Sequence, residues 1–138
     1  MSRKVLVLEE EESIRGQVLE GREFKASVVR LILDGQTEKA VEELAGHYGV
    51  SAPTLRVGLP RKQKKRSLAC YSPKDRVIFV SNSDALKIPF VILHEFYHHI
   101  RTGVDERHRG NERYADEFAR KFVRSAGYVL GRAQSDGP

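Results

Sequence analysis

The residues best suited to chemistry are His94-Glu95-Phe96-Tyr97-His98. Two histidines four apart on an α-helix are neighbours on one face, so their imidazoles can converge on a single metal ion. Glu95 lies about 100° further round the helix, where its carboxylate can reach a water on that ion without being a ligand. The chain's own residue frequencies produce such a pattern by chance roughly twice in a hundred sequences of this length, so the helix around it must carry the argument. With His94 as origin and about 100° per residue, His98, Glu95 and Arg101 cluster on one side. Ile92, Leu93, Phe96 and Ile100 fall on the other. The pattern predicts an apolar back that packs and a front that holds ligating and acid–base groups. A surface helix with scattered histidines is the bland alternative, but such a face carries more Lys and Glu than His.

Two histidines do not close a catalytic zinc site, which usually has three protein ligands and leaves a fourth position to water. The segment Asn111-Glu112-Arg113-Tyr114-Ala115-Asp116-Glu117-Phe118-Ala119 supplies the best candidate for the third. Glu112 and Asp116 share a helix face with Ala115, Ala119 and Val123, while Arg113, Glu117, Arg120, Lys121 and Arg124 point the other way. A carboxylate among small apolar residues is placed to be buried, and a buried charge needs a metal or a partner. Asp116 can then accept a hydrogen bond from the free ring nitrogen of a ligating histidine and fix its tautomer. The alternative for this pair is two acids at a solvent edge. His99, Asp105 and His108 are rival ligands, although His99 lies about 140° from His94 and should face away.

These helices need elements to position them. Apolar residues at Phe24, Val28, Leu31 and Ile32 predict a helix from about Val18 to Leu33, stopped by Gly35. Thr37 can cap a second helix with Ala40, Val41, Leu44, Ala45 and Tyr48 on one face, ended by Gly49. The period then changes. Thr54 to Leu59, Ser67 to Tyr71 and Arg76 to Val80 read as short strands, with Pro73-Lys74-Asp75 as a turn, which predicts a small antiparallel three-stranded sheet. The helical period returns from Ile88 to Arg101, with Asp84 and Pro89 at its start, and again from Asn111 to about Ala126. Gly103 and Gly127 are the expected stops, and Gly131 to Pro138 an expected frayed tail. The fold class expected is α+β.

With 138 residues the chain suits one domain: an N-terminal segment 1–17, a helical part 18–50, the sheet and zinc-bearing helices 54–127, and the tail 131–138. The content is 40% hydrophobic with a mean hydropathy of -0.47, which favours a soluble globular protein. No apolar run approaches the ~20 residues that span a bilayer, so no membrane partner is expected. The start, MSRKVLVLEEEE, lacks the long apolar region and cleavage site of a secretory signal, so a cytoplasmic location is expected. The lone Cys70 can form neither an intrachain disulfide nor a cysteine-based zinc site. The net charge of +5 is uneven, with the run Arg61-Lys62-Gln63-Lys64-Lys65-Arg66 as its basic extreme. That run suits phosphate binding or, more plainly, a solvated loop between strands, and it has no interleaved aromatic for stacking on single strands.

The H-E-x-x-H helix followed by a helix beginning N-E-x-x-x-D resembles the gluzincin metallopeptidases. Glu112 to Ala119 is similar to the E-x-x-A-N/D-x-F-A signature of ImmA/IrrE-type peptidases, and in size the chain looks most like the archaeal minigluzincins, which pair a minimal sheet with two zinc-bearing helices. The resemblance spans about Leu55 to Val123. It implies zinc ligands at His94, His98 and Glu112, Glu95 as general base, Asp116 in support, and metal-assisted hydrolysis of a peptide or protein substrate. It matches no residue as oxyanion stabiliser; Tyr71, Tyr97, Tyr114, Tyr128 and His108 are open choices. The strand Arg76 to Val80 is expected to pair its edge with an extended substrate.

A competing reading starts from Leu44 to Arg56, which resembles the A-x-x-x-G-V-S-x-x-T-L run of helix-turn-helix DNA binders, with Ser51 as cap and Pro53 in the first turn of a recognition helix. Gly58 and Pro60 would stop that helix after Val57, so a strand here and no sequence-selective nucleic-acid partner are expected. A latent or inactive peptidase fold used for binding is the third class.

Overall fold

The computed structural model describes residues 21–61, 67–102 and 111–135. The first helix, α1 (residues 21–33), buries Val28, Val29 and Ile32 on one face. It ends as Gly35 predicts: with Gly35 at φ 81°, the Gly35 and Gln36 amides turn back to the Ile32 and Leu31 carbonyls at 3.1 and 2.8 Å. Helix α2 (Thr37–Tyr48) ends in the same way, with Gly49 at φ 69° and the Val50 amide on the Ala45 carbonyl. Its start differs from the expectation. Gln36 occupies the cap position without a side-chain bond, and Thr37, 3% exposed, donates its hydroxyl to the Leu86 carbonyl at 2.6 Å. Burial requires that hydroxyl to find a partner, and the partner ties α2 to a distant segment.

Strands β1 (Thr54–Val57), β2 (Ala69–Ser72) and β3 (Val77–Val80) form one sheet in the order β1-β3-β2. The expected antiparallel sheet is in fact mixed: β2 and β3 form an antiparallel hairpin, whereas β1 runs parallel to β3. The cause is the connection from β1 to β2. Val57 and Ala69 both lie opposite Val80, so the chain leaves β1 and enters β2 at the same end of β3. The hairpin reverses it once more, leaving β1 and β3 codirectional. The strand expected to offer its edge to a substrate is therefore the central one, bonded on both sides, and β1 and β2 are the edges. Because Thr54 to Val57 is extended, no recognition helix follows Ser51.

A 3₁₀ segment (Ser83–Lys87), started by Asn82 accepting from the Ala85 amide at 3.0 Å, leads into α3 (Pro89–Arg101) with Pro89 in its first turn. Helix α4 (Asn111–Ser135) runs straight through Gly127 and past Gly131, so neither the expected stop nor the expected frayed start at Gly131 occurs. One glycine in a helix interior costs only about 1 kcal/mol, and burial of Phe122 and Ala126 just before Gly127 holds the helix. The core joins Val28 and Ile32 of α1, Leu44 of α2, Ile78 and Val80 of β3, Ile92 and Phe96 of α3, and Ala119 and Phe122 of α4. Residues 1–20, the basic positions 62–66, Gly103, Asp105, His108 and residues 136–138 lie outside the described residues. Among the described residues no helix is long and apolar enough to cross a membrane.

Candidate metal centre

Helix α3 turns Ile92, Leu93 and Phe96 into the core, as their spacing predicts. That rotation leaves His94 and His98 on a partly open side facing α4, with side chains 15% and 18% exposed. Their Nε2 atoms lie 3.4 Å apart, and Glu112 places Oε2 at 2.9 Å from His94 Nε2 and Oε1 at 2.8 Å from His98 Nε2. One ligand atom from each of the three residues falls within 4.8 Å of the others. Four donors about 2.1 Å from a tetrahedral ion stand roughly 3.4 Å from one another. The histidine pair already has that spacing, and the carboxylate needs to withdraw by about half an ångström.

The donor chemistry fits a cation. His94 Nδ1 lies 2.8 Å from Asp116 Oδ1, so His94 has a carboxylate at each ring nitrogen. If Nδ1–H donates to Asp116, the Nε2 lone pair faces a Glu112 oxygen, and two acceptors at 2.9 Å repel unless a proton or a cation lies between them. Asp116 thus lies within hydrogen-bond reach of a His94 ring nitrogen. Glu112 departs from expectation in one respect, since its side chain is 76% exposed rather than buried. It sits in the first turn of α4, one turn before the small buried residues Ala115 and Ala119 begin the packed stretch. Arg113, Glu117, Arg120, Lys121 and Arg124 are exposed on the outer side as their spacing predicts.

Glu95 is 9% exposed. Burial pushes its carboxyl up to about 7 from an ordinary 4.5; His94 opposes the rise and the negative charge of Glu112 adds to it. A cation at the site would strengthen the opposing pull. Cys70 on edge strand β2 is half-buried, and its thiol is pushed up by burial and then by the charge of Glu95.

His99 faces away, as its angle from His94 predicts, and is 6% exposed. Its Nε2 lies 2.6 Å from the Ser51 carbonyl and its Nδ1 2.7 Å from the Tyr71 hydroxyl. That removes Tyr71 from the front of α3. Tyr97 remains beside the site, its ring centroid 6.1 Å from that of His98, and Tyr114 is 56% exposed on α4. Sequence reasoning missed Phe90, whose ring lies 6.3 Å from that of His94. Its place one helical turn before His94 was the available signal. Compared with protein families, curated proteins and solved structures, the chain matches none.

Proposed function

We propose that the chain is a zinc-dependent peptidase of gluzincin type that hydrolyses peptide bonds in a peptide or protein substrate. The observation that carries this reading is the acceptor-on-acceptor arrangement of His94 and Glu112, closed by His98 and backed by Asp116, one residue from a buried carboxyl. His94, His98 and Glu112 hold the ion; Asp116 holds the His94 ring in the Nδ1–H tautomer. Zinc supplies polarisation of the scissile carbonyl and a bound water with a lowered pKa. Glu95 takes the proton from the attacking water and passes it to the leaving amine, a role suited to a carboxylate next to His94 in the chain and shielded from bulk water. The edge of β2 beside Cys70 and α3 replaces β3 as the strand against which an extended substrate lies.

The test is elemental analysis of protein purified without added zinc, together with peptide hydrolysis by the parent and by Glu95→Gln. The expected result is one zinc per chain in both proteins, with hydrolysis roughly 100-fold or more slower in the variant. Zinc-free parent protein that does not take up the ion, or a Glu95→Gln variant with full activity, overturns the assignment.

A further inference from the structure

We propose that the outer edge of β1 and the acidic side of α2 form a docking groove for an extended, lysine- or arginine-bearing polypeptide segment, which adds to the sheet as a fourth strand. The edge comes first. The Thr54 and Gly58 amides bond the Arg76 and Val80 carbonyls of the β3 side, at 3.0 and 2.7 Å. Backbone groups alternate in direction along a strand, so the N–H and C=O groups of Leu55 and Val57 point away from β3. No backbone group of the described residues bonds them. They open onto a groove of about 720 Å³ whose floor includes Leu55, Val57 and Leu86 and whose wall includes Glu38 and Glu42 of α2.

These features define the occupant. Outward donors and acceptors repeating every second residue are matched by another extended backbone. Val57 is 56% exposed, so an added strand also covers apolar surface. Glu38 and Glu42, four apart and exposed, share a face of α2 in a chain whose net charge is +5. Lys39 opens on the same groove, where Glu38 and Glu42 outnumber it two to one. Alternate lysines on the added strand can lay their methylene stems over the apolar floor and bring their ammonium groups to the wall. The groove lies across the sheet from β2, the edge nearest α3, and is independent of the metal reading.

The probe is a blocked ten-residue peptide alternating lysine and valine, titrated by fluorescence anisotropy onto the full chain carrying Glu95→Gln, so that the peptide stays intact whether or not the protein is a peptidase. Binding is expected to be at least tenfold tighter than for the glutamate–valine counterpart, and to weaken with salt. Reversing Glu38 and Glu42 to lysine should invert that preference. Methylating alternate peptide nitrogens should weaken binding at least tenfold, a result that does not depend on any variant folding. Val57→Pro removes an outward amide together with the exposed valine side chain and should weaken binding to a similar degree. Equal binding of the two charge forms, full binding of the methylated peptide, or no binding at millimolar peptide overturns the proposal. Self-association of the chain abolished by Val57→Pro also overturns it, because the edge would then belong to a second copy.

Discussion

His98 and His99 are consecutive residues of one helix, and their surroundings differ in kind. His99, in the interior, has one partner that only accepts, the Ser51 carbonyl, and one that can donate, the Tyr71 hydroxyl. A neutral ring with its proton on Nε2 satisfies both. On the opposite side, His94 and His98 meet carboxylate oxygens and each other. No arrangement of neutral rings satisfies that set, because acceptors outnumber protons. Burial alone would select His99, the most enclosed of the three. The balance of donors and acceptors is what separates histidines that could hold an ion from one whose ring nitrogens are both satisfied within the protein.

Crossed substitutions give the largest effects. His94→Ala or Glu112→Ala should abolish zinc binding and lose the stabilisation that the ion adds, and Glu112→Ala, on an exposed side chain, should leave the stability of the metal-free chain nearly unchanged. His99→Ala should keep the ion at one per chain. It should cost about 2–4 kcal/mol in urea denaturation, from the cavity and from the stranded Ser51 carbonyl and Tyr71 hydroxyl. Elemental analysis and denaturation on the same samples check both. Zinc loss in His99→Ala with an intact fold would erase the distinction between the two sides.

A proton on Glu95 gives the next effect. In the unfolded chain this carboxyl ionises near 4.5, and in the metal-free fold near 7. Between those values the fold binds the extra proton, so stability falls as pH rises through the window and the penalty is complete above about 7. Glu95→Gln carries no such penalty. The metal-free variant should melt above the metal-free parent at pH 8, with the difference vanishing below about 4.5. Zinc should narrow the gap at pH 8 by stabilising the ionised carboxylate. A gap independent of pH would mean that ionisation of Glu95 carries no penalty in the fold.

The two sides also differed in how far they could be read from the residues. Helical spacing set the front and back of α3, the partnership of Glu112 with Asp116, and the glycine stops at Gly35 and Gly49, because each rests on contacts within one or two turns. Strand direction depended on where the chain crosses between β1 and β2, a long-range property that short apolar runs do not carry, so the mixed sheet and the central place of β3 were missed. Gly127 was misread because its effect is small beside the burial of Phe122 and Ala126. The bonds of His99 to Ser51 and Tyr71 span 48 and 28 residues and leave no local pattern.

Asp116 sharpens the front side further. Asp116→Asn offers an amide in place of a carboxylate at His94 Nδ1, so the Nδ1–H tautomer loses its charged acceptor. Zinc affinity, read by chelator competition, should fall about 10–100-fold with the ion still bound at saturating zinc. An unchanged affinity would mean that Glu112 and the histidines alone set the site.

Tyr71 gives the smallest effect and probes the back side most directly. Its hydroxyl lies 2.7 Å from His99 Nδ1 and 3.5 Å from Thr102 Oγ1, whose own proton has the His98 carbonyl at 2.9 Å. The Ser51 carbonyl can only accept, so His99 Nε2 donates to it and Nδ1 is left to accept the Tyr71 proton. Tyr71→Phe keeps the ring and removes that one bond, so the urea midpoint should drop by the equivalent of about 1 kcal/mol. Zinc content and peptide hydrolysis should stay at parent levels, because the lost bond is on the face of α3 turned away from His94 and His98. Were this hydroxyl instead to stabilise an oxyanion at the reacting carbonyl, hydrolysis would fall about 100-fold or more with little change in midpoint. Measuring rate and midpoint together therefore decides whether Tyr71 belongs to the interior with His99 or to the front with His98.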